Sequence, residues 1–243
     1  MPSPATVHKV SNQIKTMTAK SCLFVFTIFA AATLRAAELP SFDTSWIPAK
    51  PEMLTYHSKS KQGDGLYQVS NSRNEGAIDL YMNIITPGFT KSVWGTMSTD
   101  MRPRGSKSRI VVQDQITMTT DCSYGPATLH IATLMAPYKK IMENNLSCSN
   151  LVVDFSQAPL LARTLPLKPG AEFKFTSLNP QANSLVPLTI HVVASETIHS
   201  TECYKIEAHD FEGEAAYWIE KAGHHRVMRI EQPATGRITE LIL

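Results

Sequence analysis

The densest group of side chains able to bind a metal or move protons is a polar run near the C-terminal end. It consists of His209, Asp210, Glu212 and Glu214, and the pair His224–His225 follows on the next segment. Imidazole and carboxylate groups are suitable ligands for divalent cations. The run also surrounds a glycine, and a polar turn between two strands explains the same composition. We therefore predict a turn, with no metal or cofactor, and keep metal binding as the alternative.

Sequence motifs typical of enzymes are absent. The chain has no Gly-x-Ser-x-Gly elbow, phosphate-binding glycine loop, dinucleotide fingerprint or His-Glu-x-x-His helix. His191 is a further candidate for proton transfer, but the spacing identifies no serine or cysteine nucleophile with an orienting partner. We interpret His191 as a solvent-facing strand residue and predict no catalytic residue. A hydrolase that uses His191 or the polar run 209–214 is the least favoured hypothesis.

The three tryptophans are candidates for ligand stacking. Trp94 and Trp218 lie in predicted strands, and Trp46 lies in a proline-bearing segment. Aromatic side chains in strands usually pack in the core or on a sheet face. We predict that role for Trp94 and Trp218, with ligand stacking as the alternative.

The elements that position these residues are predicted to be strands. Apolar residues alternate with polar ones over 78–84 and 110–118, and this period of two recurs to the C-terminus. The intervening turns are short, so they join antiparallel neighbours and cannot hold a crossover helix. We predict an all-β fold, a single curved antiparallel sheet or open barrel-like meander. Two short helices are predicted at Pro137–Asn145 and Ala158–Thr164.

The N-terminal segment has the layout of a secretory leader. Residues 21–34 form a 14-residue apolar run that follows a lysine and ends near alanines. A membrane-spanning helix needs about 20 apolar residues. We therefore predict a signal peptide over 1–37, with Met17 as an alternative start, then an extended arm over 38–52 and one β domain over 53–243. The expected product is soluble and periplasmic or extracellular, with no stable membrane span after leader removal.

Composition excludes one class of partner. The chain of 243 residues is 43% hydrophobic and 18% charged, which suits a protein with a buried core. Its net charge of +2 is misleading, because the first 37 residues hold four basic residues and no acidic one. The remainder carries a net charge of −2 and has no basic stripe, so we exclude nucleic acid as a partner.

Export would place the remaining cysteines in an oxidising compartment. Cys122 and Cys148 each lie among polar, turn-like residues, and we predict a disulfide between them. Cys203 is then left as a buried thiol within a strand. Metal binding by these thiols is disfavoured because no Cys-x-x-Cys or His-x-His pair accompanies them.

The C-terminal part, residues 151–243, resembles the exported family called domain of unknown function 3108. The resemblance rests on an ordered set of segments: Ala158–Gly170, Val192–Ile198, Glu202–Glu207, Tyr217–Glu220, His225–Glu231 and Gly236–Leu241. The sequence Ser200-Thr201-Glu202 stands where the family tends to have a Pro-Ala-Gly turn. The resemblance implies a curved antiparallel sheet in a cell-envelope protein with no established activity.

The excess of strands over helices suggests a function. A curved sheet whose concave apolar face has no helix over it can enclose a ligand. We predict a non-enzymatic binding module for a hydrophobic or lipid-like small molecule. The alternative is a structural protein that pairs with an envelope protein through a sheet edge.

Overall fold

The computed structural model describes residues 39–61, 63–148, 151–180, 182–210 and 213–243. Fifteen strands account for most of these residues. All fifteen belong to a single sheet. Every pairing between strands is antiparallel except that of the ninth and tenth strands. The predicted all-β sheet is confirmed. The predicted leader, residues 1–37, lies outside the described residues.

The bounds of the elements show a long meander. Its first half is β1 (Glu52–Ser60), β2 (Gly63–Asn74), β3 (Ala77–Thr86), β4 (Phe89–Ser98), β5 (Pro103–Val112), β6 (Gln115–Tyr124), β7 (Thr128–Met135) and β8 (Lys140–Ser147). Its second half is β9 (Val152–Asp154), β10 (Glu172–Asn179), β11 (Ser184–Ile198), β12 (Thr201–Asp210), β13 (Gly213–Glu220), β14 (Val227–Gln232) and β15 (Arg237–Leu241). One α-helix, α1 (Ala158–Thr164), lies between β9 and β10 among the described residues.

The first and last strands pair in the middle of the sheet. Tyr56 of β1 lies opposite Leu241 of β15, and the strands then run outward in chain order to β8 on one side and in reverse chain order to β9 on the other. Short turns join successive strands from β1 to β8 and from β10 to β15, so each of these strands pairs with the next, whereas α1 lies in the connection between β9 and β10. The predicted C-terminal hairpins β13–β14 and β14–β15 are confirmed.

Alternating side chains give the sheet an inner and an outer face. Ile78, Leu80 and Met82 of β3 are buried on the inner face, whereas Asp79 between them is exposed. The same alternation places Val93 with this inner set on the neighbouring strand. The period of two in the sequence is therefore the pattern of burial in the sheet.

Helix α1 covers the inner face. Leu160, Leu161 and Ala162 are almost completely buried and belong to the same core as Ile206 and Ile219 of the sheet. Seven residues are too few for a stable isolated helix, so packing against the sheet must hold α1 in place. The helix predicted at Ala158–Thr164 is confirmed.

The helix predicted at Pro137–Asn145 is wrong. A 3-10 turn covers Ala136–Tyr138, and strand β8 begins at Lys140. The side chains of β8 alternate between exposed and half-buried, and Ile141 lies opposite Leu134 of β7. Asparagine has a low helix propensity, and this segment contains two of them, which favours the strand.

The two ends of the sheet approach each other. Leu129 and Ile131 of β7 pack in one apolar cluster with Val152 of β9 and Leu178 of β10. The backbone of β8 does not pair with β9, so side chains and not a ladder of hydrogen bonds bring the ends together. Leu39–Leu243 forms one compact unit. Across the described part of the chain, no helix combines the length and apolar character needed to cross a membrane.

A buried tyrosine is expected to lower the stability of the folded protein at alkaline pH. Tyr56 is 2% exposed, and burial raises the pKa of its phenol to about 12. In the unfolded chain a tyrosine ionises near pH 10. Between pH 10 and 12 only the unfolded state loses this proton, so we expect stability to fall by about 1.4 kcal/mol per pH unit from this residue.

Urea unfolding at pH 8, 10 and 11 measures this loss. Tyr56→Phe should show a weaker decline of stability above pH 10 than the wild type. Tyr138→Phe, at a ring that is 76% exposed, controls for the loss of a hydroxyl. Equal declines in the wild type and Tyr56→Phe would contradict the assignment.

Candidate functional site

A groove of about 560 Å³ crosses the outer face of the sheet over strands β2 to β6. We call it the outer groove. It lies on the face opposite the core and α1, and the side chains of Leu80 and Cys122, two residues of its lining, point away from it into the hydrophobic interior. The outward-facing side chains of its lining include Asp79, Tyr81, Trp94, Thr96, Lys107 and Asp121.

The register of neighbouring strands builds the floor of the outer groove. Tyr81 of β3 lies opposite Trp94 of β4, which lies opposite Lys107 of β5, and Lys107 lies opposite Asp121 of β6. Directly opposite residues in a sheet share a face. Four residues far apart in the sequence therefore form one row across the outer face.

The centre of this row is an aromatic pair. The ring centroids of Tyr81 and Trp94 are 5.6 Å apart with their planes tilted by 44°. The Arg109 guanidinium lies 5.7 Å from the centroid of the Trp94 ring. Trp94 is nevertheless 38% exposed, so part of its ring faces solvent in the groove. An exposed tryptophan with fixed neighbours is a preorganised stacking surface.

A second row, beside the aromatic one, is small and polar. Asp79 of β3 lies opposite Thr96 of β4, which lies opposite Gly105 of β5. The Thr96 hydroxyl donates a hydrogen bond of 3.0 Å to the Asp79 carboxylate. Gly105 has no side chain at this position, so the backbone itself lines the groove between Thr96 and Ser123.

The charges of the outer groove nearly balance. Lys107 Nζ lies 3.2 Å from a carboxylate oxygen of Asp121, and both side chains are more than half exposed. An ion pair as exposed as this contributes little to stability. The pair therefore offers a donor and an acceptor at the surface of the groove. Asp79 adds one more carboxylate.

The thiol in the lining of the outer groove is not placed for nucleophilic attack in the groove. Cys122 is the cysteine of the lining, and its thiol is buried on the opposite face. Burial, followed by the nearby charge of Asp154, raises the pKa of this thiol to about 12. A thiol that stays protonated is a poor nucleophile.

The polar run near the C-terminus does not form a site with the two histidines that follow it. His209 and Glu214 lie opposite each other at the hairpin between β12 and β13, whereas His224 and His225 follow the other end of β13. His224 contacts the Glu52 carboxylate at 3.2 Å. The described residues contain no group of three metal-ligating side chains. Glu212 and the side chain of Asp210 lie outside the described part.

His191 and Trp218 occupy the positions expected of sheet residues. His191 of β11 is exposed and lies between Glu172 and Glu207 on the neighbouring strands. Trp218 is buried, and its indole nitrogen donates a hydrogen bond of 2.7 Å to Glu196. Trp218 is therefore a core residue, whereas the other strand tryptophan, Trp94, faces the outer groove.

Trp46 stacks on a buried arginine. The Arg163 guanidinium, at the end of α1, lies 4.2 Å from the centroid of the Trp46 ring. Its nitrogens donate hydrogen bonds of 2.8 Å to the carbonyl oxygens of His224 and His225. Burial lowers the pKa of Arg163 to about 10, so the side chain remains charged at neutral pH. Arg163 thus ties α1 to the N-terminal arm and to the turn between β13 and β14.

The predicted disulfide is not present. Cys122, Cys148 and Cys203 are free thiols, and Cys203 is buried in β12 as expected. Cys122 lies in β6 and Cys148 follows β8, with β7 between them. Strands two apart in a sheet are separated by about 9.5 Å, which exceeds the span of about 7 Å that a disulfide bridges.

A buried carboxylate that the sequence analysis did not identify joins the two ends of the sheet. Asp154 of β9 accepts hydrogen bonds from Ser106 of β5 at 2.5 Å and from Tyr124 of β6 at 2.7 Å. It also accepts from the backbone N–H of Ser156 at 3.0 Å. Burial and the Asp154 charge raise the pKa of Tyr124 well above 10, so its phenol stays a donor.

Fold and site together define a barrel-like β-sheet protein with a polar, aromatic groove on its outer face. No protein-family model and no curated protein matches the chain. Among solved structures, it is similar to a beta-barrel-like protein of domain of unknown function 1849 from Brucella abortus. The match has a TM-score of 0.51 and 8% sequence identity, and covers 81% of this chain and 97% of the other. This likeness shows the fold.

Proposed function

We propose that the protein is an exported binding module without catalytic activity and that the outer groove is its ligand site. The observation that carries the proposal is the exposed Trp94 ring, held by Tyr81 and Arg109 in the floor of a groove. Large apolar rings normally leave solvent on folding. Exposure in a concave, polar setting is typical of binding sites, where aromatic side chains supply contact area.

The hydrophobic or lipid-like ligand expected from the sequence needs an uncovered apolar face. Leu160 and Leu161 of α1 cover that face and are buried against the sheet. We therefore place ligand binding on the opposite face, in the outer groove. A lipid that is recovered with the protein would restore the original expectation, so it is one outcome of the experiment below.

The alternative of an envelope protein that pairs through a sheet edge rests on β8. This strand ends the sheet, and its Ile141 is 64% exposed. Charged side chains on an edge strand oppose pairing with another strand, and β8 carries Lys140 and Glu143. We therefore favour the groove over the edge.

Two parts of the proposal rest on the sequence. Export is inferred from the predicted signal peptide over residues 1–37. Membership of the family called domain of unknown function 3108 is inferred from the segments between residues 158 and 241. A binding module of the envelope agrees with both.

Mass spectrometry of extracts from natively purified protein tests the proposal. We expect a small molecule or oligomer to co-purify with the wild type and to be depleted in Trp94→Ala. Tyr138→Ala is the matched control, because this aromatic ring is 76% exposed outside the groove, and it should retain the molecule. No difference between the extracts of wild type and Trp94→Ala would contradict the groove as the site.

A further inference from the structure

We propose that the ligand of the outer groove is a neutral glycan strand, one of whose sugar rings stacks on Trp94. This inference rests on the proposed function, because it names the ligand class of the same site. Three properties of the groove support it: its aromatic floor, its hydrogen-bonding walls and its balance of charge.

The aromatic floor matches the face of a sugar ring. One face of a hexose presents C–H groups and is weakly polar, whereas its edge carries hydroxyl groups. The indole of Trp94 offers a flat, electron-rich surface that is open to the groove, with Tyr81 tilted against it. Stacking of a C–H face on such a surface buries apolar area and leaves the hydroxyl edge free to bond elsewhere.

The walls beside this floor supply partners for the hydroxyl edge. Asp79 and Thr96 lie in the row beside Trp94, and Lys107 with Asp121 continues the row of Trp94 itself. Carboxylates accept hydrogen bonds from the hydroxyl groups of a sugar, and an ammonium donates hydrogen bonds to the hydroxyl oxygens. An aliphatic chain would remove water from these polar groups and offer them no hydrogen bond in its place, which disfavours a lipid here.

The charges disfavour an anionic polymer. Lys107 is neutralised by Asp121 at 3.2 Å, and Asp79 adds a further negative charge. Arg109 lies against the Trp94 ring. A polyphosphate chain or a polyuronate would meet carboxylates on both sides of the aromatic pair. The groove therefore favours a ligand that is rich in hydroxyl groups and carries no charge.

The shape of the outer groove favours a strand over a single sugar. The groove crosses five strands, from β2 to β6, which corresponds to roughly 19 Å at the usual strand spacing. A monosaccharide would contact Trp94 but would leave most of the lining unused. Affinity is therefore expected to rise with the number of sugar units.

Titrations followed by tryptophan fluorescence and calorimetry test the inference. The probes are the hexamers of N-acetylglucosamine and of glucose, N-acetylglucosamine itself, and a hexamer of galacturonic acid. We expect a neutral hexamer to bind at least tenfold more tightly than the monomer. Trp94→Ala should weaken binding at least tenfold and Tyr138→Ala less than twofold, with unchanged circular dichroism in both.

A second variant tests the role of charge. Asp121→Asn removes a carboxylate and releases Lys107 from its ion pair, so the affinity for the galacturonic acid hexamer should rise relative to that for a neutral hexamer. An unchanged ratio would overturn selection by charge. If no neutral hexamer binds at millimolar concentration, the assignment of the ligand as a neutral glycan is wrong. A different molecule that depends on Trp94 in the extracts would then leave the proposed function standing.

Discussion

Replacement of Leu161 by aspartate is expected to unfold the protein at neutral pH. Leu161 is 0% exposed at the centre of α1 and packs in the main core. Loss of a buried leucine costs about 2 to 5 kcal/mol, and an unpaired buried carboxylate adds several more. The sum reaches the whole stability of a typical domain, which is about 5 to 15 kcal/mol.

The same change at an exposed leucine is the control. Leu134 of β7 is 40% exposed on the outer face, and Leu134→Asp should lower the free energy of unfolding by less than about 1 kcal/mol. Circular dichroism and urea unfolding measure both variants. A folded Leu161→Asp with a normal unfolding midpoint would mean that α1 is not required to cover the inner face.

The sequence predicts the meander because two signals agree along it. Period-two alternation marks the strands, as in β3, and turns too short for a crossover require antiparallel neighbours. Helix α1 is recognisable by its apolar run and its proline at the first turn. Each of these patterns lies within a single segment, so the local sequence alone is enough to recognise it.

The outer groove could not be predicted in the same way. Tyr81, Trp94, Lys107 and Asp121 share a row only because three successive hairpins have a particular register, and the pairings of β4 with β5 and of β5 with β6 each contain a shift of register. Each residue alone reads as an ordinary outward-facing strand residue. The sequence therefore supplies the candidates but not their association.

At β8 the local sequence pattern itself gave the wrong prediction of a helix. Its lysines and spaced apolar residues are compatible with a helical face, but a short apolar pattern does not distinguish a helix from a strand. Pairing with β7, in which Ile141 lies opposite Leu134, decides between them. The predicted bridge from Cys122 to Cys148 fails for a related reason, because β7 lies between the two cysteines.

Replacement of Asp154 by alanine is expected to loosen the contact between the two ends of the sheet. The buried carboxylate accepts hydrogen bonds from Ser106, Tyr124 and both the N–H and the hydroxyl of Ser156, and alanine leaves all four donors without this partner. A buried donor without a partner costs about 1 to 3 kcal/mol. We therefore expect the free energy of unfolding to fall by about 3 kcal/mol or more.

Asp154→Asn separates the hydrogen bonds from the charge. The asparagine oxygen can still accept from the Ser156 N–H, and its amide can donate to the hydroxyl oxygens of Ser106 and Tyr124 after these rotate. The loss should therefore be less than half that of Asp154→Ala in urea unfolding.

Hydrogen exchange adds a local test of Asp154→Ala, because β9 and β10 should lose more protection than β14 and β15. Strand β9 has only three residues and pairs with one neighbouring strand, so its backbone ladder alone holds this end of the sheet weakly. An Asp154→Ala variant within 0.5 kcal/mol of the wild type, with exchange unchanged in β9, would show that apolar packing alone joins the two ends.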